Sequence, residues 1–138
     1  MRRARYILTA RAVVDLREAR AWSRARWGKE LTSRYFDDLH EGARHIAENQ
    51  IALRGRQELS GGTSLLVCPV REHYMVCEPL AERFIAIVAV IRQGRDVPAI
   101  LQKWSVPIRR ELREIRAKIE RGEITWPRRS DAKPRRKK

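Results

Sequence analysis

Few side chains here are suited to chemistry, and they fall in three places. Proton transfer calls for His, Glu, Tyr or Lys with a pKa near neutrality. Of the three histidines, His40 and His45 stand five apart on a helical pattern, which is poor ligand geometry, so both read as surface residues. His73 opens a β-rich stretch and reads most simply as a histidine with structural hydrogen bonds. Glu58 lies in "RGRQEL" with Arg54 and Arg56, and Glu58 as base with His73 as acid is a conceivable pair. The third place ends the longest apolar run: "FIAIVAVIRQGRD" passes from Phe84 to Arg92, Arg95 and Asp96. Arginine stabilises negative charge but stays protonated, so it carries no proton. The turn therefore suits contact better than catalysis, with Asp96 placed to cap the following "VPAIL". No catalytic residue is assigned on this reading. If the chain were a nuclease, Glu58, His73, Arg54, Arg56 and Arg92 would be its candidates.

Cys68 and Cys77 have no metal-ligand spacing, and no phosphate-cradling glycine loop or Ser/His/Asp order occurs. No cofactor and no metal are expected. The 138 residues allow one folded domain with an appendage, and 43% hydrophobic content is globular. The formal charge of +14 predicts an acidic partner. Residues 1–104 hold 18 Lys and Arg against 12 Asp and Glu, while 105–138 hold 13 against 5. Reduced thiols, no secretion pattern and no run of the ~20 apolar residues a bilayer requires make a cytoplasmic protein off the membrane the expectation.

Elements that could position these groups follow from periodicity. "ARYILT" (4–9) predicts a short strand, and Thr9 can cap the helix that follows. Ala12, Leu16, Ala19 and Trp22 form one helical stripe, Gly28 ends it, and Leu31, Tyr35, Leu39, Ala43 and Ile46 form a second. "RQEL" (56–59) is a short strand candidate, followed by strands over 64–70, 73–80 and 83–91; Pro69 places its strand at an edge or in a bulge. The last run is apolar enough to be central. Pro107 opens an amphipathic helix with Ile108, Leu112, Ile115 and Ile119 on one side, which must dock on the core or on a partner. The expected order, β-α-α-β-β-β with a C-terminal helix, is an α+β fold: a helical hairpin packed on a small, largely antiparallel sheet. The expected organisation is a domain over 1–104, a helical extension over 105–126 and a basic disordered tail over 127–138.

Several stretches, in order, resemble the ParE branch of the RelE/ParE superfamily, the toxins of type II toxin–antitoxin (plasmid stabilisation) systems. They are "YILTxxAxxDL" (6–16), "WSxxxWG" (22–28), "AEN" (47–49), "RGRQEL" (54–59), "PVREHY" (69–74) and "VIRQGRDVPAIL" (90–101). The sequence departs from the family's pattern at Gln50, Leu53, Leu66 and Arg92, the last standing where a histidine is common. The resemblance implies a toxin that poisons DNA gyrase by binding, with Arg92, Arg95 and Asp96 as the target-binding edge. It also implies a cognate acidic antitoxin in a hetero-oligomeric complex, with Trp22, Trp27, Tyr35, Arg54 and Arg56 as contact residues. The RelE branch implies an alternative, ribosome-dependent cleavage of messenger RNA. A third reading is a non-toxic nucleic-acid-binding module on a degenerate toxin fold. The basic tail could touch DNA phosphates near gyrase.

Overall fold

The computed structural model describes residues 4–50 and 56–123. Arg54 and the tail expected over 127–138 lie outside the described residues. The elements are β1 (Arg5–Leu8), α1 (Ala10–Asn49), a 3-10 turn (Gln57–Leu59), β2 (Leu66–Val70), β3 (His73–Ala81), β4 (Phe84–Arg92), α2 (Val97–Lys103) and α3 (Ser105–Glu120). The sheet order is β1-β4-β3-β2, antiparallel except for the parallel β1–β4 pair. The expected α+β class holds, with β2 and its Pro69 at an edge and β4 in the interior.

α1 is the expected hairpin, two helical arms that meet at Gly28, whose φ of 87° and ψ of 173° are open to glycine and almost nothing else. Tyr35, Leu39, Ala43 and Ile46 of the second arm pack on Met75, Cys77, Ile85 and Ile87. Gly42 belongs to this contact for a different reason: a Cβ there would meet Val70 Cγ1 at 2.5 Å, so the helix could not lie so close to β2. The opposite face of the sheet is also covered. Val97, Leu101, Ile108 and Leu112 of α2 and α3 pack on Val67, Val76, Ala86 and Val88. α3 thus docks on the chain's own core, and its stripe is fastened at both flanks. Glu111 Oε2 accepts from Ala10 N at 2.8 Å, while Arg116 reaches Glu78 at 2.7 Å and the Pro79 carbonyl at 2.8 Å.

The strand expected over 56–59 is a 3-10 turn instead. Leu59 N–H bonds to the Arg56 carbonyl and Ser60 N–H to that of Gln57, while Leu59 tucks against the second core layer. Arg56 and Glu58 pair at 2.6 Å, two residues apart, a contact that an extended chain pointing alternate side chains the same way also permits. The local backbone bonds decide the outcome. Only the Arg56 N–H, 2.7 Å from the Val67 carbonyl, joins the sheet.

The β1–β4 junction ties the start of α1 to the sheet. β1 ends at Leu8, opposite Ile87. Thr9, 1% exposed, continues the ladder with its N–H on the Ile87 carbonyl at 3.1 Å. Its Oγ1 donates to the Val88 carbonyl at 3.1 Å and accepts from Ala12 N at 3.2 Å, so the capping residue also anchors the helix to the sheet. The β3–β4 register slips between Val76 and Cys77, leaving Val88 as an extra residue in β4. Past this bulge Val90 N–H has no strand beside it, and Asp15 Oδ2 accepts it at 2.9 Å.

Two substitutions test these joints. Gly28→Ala should cost about 2 kcal/mol in urea unfolding, through backbone strain alone since the space around Gly28 is open. Asp15→Ala should cost about 1–3 kcal/mol and speed amide exchange at Val90, whereas Asp15→Asn, which can still accept, should cost less. An unchanged midpoint in either Ala variant would remove the corresponding joint from this account.

Candidate interaction site

The first arm of α1 presents Arg11, Asp15, Glu18, Trp22 and Arg26 at steps of three and four, hence on one face. The end of β4 and the following turn bring Arg92 and Arg95 opposite that face, and the start of β3 brings His73. Apart from Arg26, these groups line a cleft of 290 Å³. A neighbouring hollow of 490 Å³ between Arg26, Glu72 and Gln93 shares Trp22 and Arg92 with it.

Trp22 organises the shared wall. The Arg92 guanidinium lies 4.6 Å from its ring centroid and that of Arg26 at 4.8 Å. Such contacts orient a guanidinium and are worth about 0.5–1 kcal/mol each when exposed. Trp27 meets Trp22 edge to face at 5.5 Å and packs on Tyr35 at 5.3 Å, so the aromatic residues clasp the hairpin tip. Both tryptophans are half-buried, with Trp27 against the first core layer. Across the cleft, Arg11 lies over Trp104 at 4.5 Å. Its Nε is 3.1 Å from Asp15 Oδ1, an ion pair bent too far to be a hydrogen bond. Burial raises the Asp15 carboxyl above its ordinary range, against the opposing pull of Val90 N–H and Arg11.

His73 is 3% exposed, and its Nδ1 is 2.7 Å from the Tyr35 hydroxyl, which also accepts from Glu72 N at 3.0 Å. Burial first, and the charge of Arg92 second, push the imidazole below its usual pKa. Tyr35 is itself 3% exposed, so among the expected antitoxin contacts it is an internal brace. Gln93 ties the turn down, donating from Nε2 to the carbonyls of Arg71 at 2.9 Å and His73 at 3.2 Å. Asp96 caps α2, with Oδ1 accepting from Ala99 N at 3.2 Å. Arg92, Arg95 and Asp96 are all exposed.

Arg56 and Glu58 stand elsewhere. Arg56 interacts with Tyr74, which belongs to the layer under α2 and α3, whereas His73 faces α1. The sheet therefore separates Glu58 from His73. Glu58 is fully exposed, and its own backbone N–H and Arg56 hold its pKa down. His40 bonds to Tyr6 and His45 to Asn49, both exposed. No cluster of His, Cys, Asp and Glu fit for a metal occurs among the described residues. Asp15, Arg11, Gln93 and Trp104 were not singled out from the sequence. Asp15 alone had a visible signal, a carboxylate three residues after Ala12 and four before Ala19, on the apolar stripe.

A small sheet packed by a helical hairpin, with a cationic and aromatic cleft between the hairpin's first arm and the end of β4, is the arrangement expected of the RelE/ParE type of protein. A solved structure of the chromosomal ParDE TA system from P. aeruginosa superposes with a TM-score of 0.55 at 15% identity, over 64% of this chain and 95% of that one, which bears on the fold alone. Toxin ParE of Escherichia coli is 30% identical over 92 residues, 67% of this chain and 87% of the relative. Residues 6–97 match the family described as ParE toxin of type II toxin-antitoxin system, parDE. The chain belongs to the ParE toxin family. The matched residues include the cleft's β4 turn and stop at the start of α2, so α3 lies beyond them.

The lowered His73 pKa carries a sign. The folded state holds this proton less tightly than the unfolded chain does, so more protons are bound on unfolding. Its contribution is complete above the ordinary value of 6.5 and is lost as pH falls through that value toward the lowered one. Wild type should therefore lose stability faster than His73→Gln as pH drops from about 7 to about 5. Equal slopes would deny His73 this part.

Proposed function

We propose that this chain is a toxin that stalls DNA gyrase by binding it, with no cleavage chemistry of its own. The observation that carries the reading is the separation of the proton-transfer candidates. Glu58 and His73 lie on opposite sides of the sheet, and each has its pKa shifted down, away from the near-neutral value that a proton carrier needs. What the cleft offers instead is a fixed arrangement of exposed guanidinium groups on an aromatic support, which suits holding a partner. Arg92, Arg95 and Asp96 form the edge proposed to meet the target.

A cognate acidic antitoxin is the proposed neutralising partner, in a hetero-oligomer formed in the cytoplasm. The likeness to a solved ParDE system and the net charge of +14 support this. Trp22, Trp27 and Arg56 have accessible surface for such contacts. Among the described residues no helix is long and apolar enough to cross a membrane.

The test is supercoiling by purified gyrase with ATP, scored for inhibition and for cleaved DNA, alongside translating ribosomes whose messenger is mapped for cuts. Inhibition with intact messenger is expected, and Arg92→Ala with Arg95→Ala should raise the amount of protein needed about tenfold or more. Cuts in the messenger with normal supercoiling would overturn the reading.

A further inference from the structure

The Tyr35–His73 contact fixes where the imidazole proton sits. Tyr35 Oη accepts the Glu72 N–H at 3.0 Å, and its own proton has one acceptor beside it among the described residues, His73 Nδ1 at 2.7 Å. The reverse arrangement would leave a buried hydroxyl proton with no acceptor. Nδ1 is therefore the accepting nitrogen, and neutral His73 carries its proton on Nε2. The residue is 97% removed from solvent, with relative exposure 3%, and it lines the cleft. Nε2 has no hydrogen-bond partner among the described residues, so it offers one unused N–H to the cleft.

The groups around it are of the same kind. Arg92 and Arg95 present guanidinium donors from the end of β4 and from the turn, and the ring of Trp22 sets the orientation of Arg92. Asp15 is occupied by Val90 N–H and Arg11, and Glu18 lines the helix side next to it. The strand and turn side of the cleft is thus a set of donors in want of an acceptor.

We propose that the cleft is a phosphate-binding site, in which one phosphate group accepts from His73 Nε2–H, Arg92 and Arg95. The donors come from three backbone positions, the start of β3, the end of β4 and the turn after it. A tetrahedral oxyanion can meet them with separate oxygens, whereas a carboxylate has only two, in one plane. The net charge of +14 brings polyanions to the surface. A nucleic-acid backbone and a free phosphate share this chemistry. The site binds and does not cut, because His73 in this tautomer donates from Nε2 and accepts nothing there. The proposal stands apart from the gyrase reading, and either can fail alone.

The experiment is NMR of the full chain with nitrogen-labelled histidine, following His73 Nε2 during titration with inorganic phosphate, a short oligothymidylate, and a polyglutamate peptide. Phosphate should shift the Nε2–H signal, and Arg92→Gln or Arg95→Gln should each weaken binding about tenfold. Both arginines are exposed, so these variants keep the fold, which circular dichroism checks. Oligothymidylate binding about tenfold or more tighter than inorganic phosphate assigns the site to a nucleic-acid backbone; no such preference assigns it to free phosphate. The proposal is overturned by an Nδ1–H tautomer, by a signal that phosphate leaves in place, by a response to polyglutamate but not phosphate, or by binding unchanged in the arginine variants.

Discussion

β4 is nine residues long and β1 only four, so the ladder on that side of β4 runs out at Ile87. Everything that gives this protein its cleft depends on how the remaining backbone is satisfied. Thr9 takes the first two carbonyls and at the same stroke starts α1, and Asp15, further along the same arm, takes the Val90 N–H. A buried unpaired amide costs about 1–3 kcal/mol, so these side chains hold the helix against the strand where a fifth and sixth residue of β1 would have stood. The first arm of α1 then runs alongside the end of β4, which is why Trp22 meets Arg92.

The cleft follows from that alignment and from the chain's reversal at Gly28. Returning toward the sheet, α1 brings Tyr35 under the start of β3, where its hydroxyl joins Glu72 to His73. A buried histidine and two exposed arginines become neighbours without sharing an element. The arrangement has few acceptors left over, since the carboxylate deepest in it, Asp15, is already spent on structure.

Much of the fold was legible because its signals are local. Thr9 before a helical stripe, Gly28 between two stripes, Pro69 in an edge strand, and Asp96 three residues before Ala99 each act within a turn of their own position. The RelE/ParE resemblance and the α+β class could be read for the same reason. Long-range placement could not. The stretch 56–59 reads as a strand because its four residues carry no period that distinguishes the two, and its bonds to Arg56 and Gln57 make a 3-10 turn of 57–59. The side of the sheet occupied by Arg56, the pairing of Tyr35 with His73, and the second covering layer of α2 and α3 depend on contacts between separate elements, 38 positions apart for Tyr35 and His73.

The strand order β1-β4-β3-β2 also sets a timetable. The first strand made must lie beside the last one, so β1 has no neighbour to bond until Phe84–Ile87 have been made. The long helix can coil earlier, but its inner face has only the β2–β3 hairpin to rest on, and the Thr9 and Asp15 joints have nothing to grip. A nascent chain halted before β4 lacks Arg92, Arg95 and the floor between the two core layers together. The cleft is therefore completed in one late step of synthesis: a copy lacking β4 has Arg11, Asp15, Glu18, Trp22 and His73 but no strand end or turn to set opposite them.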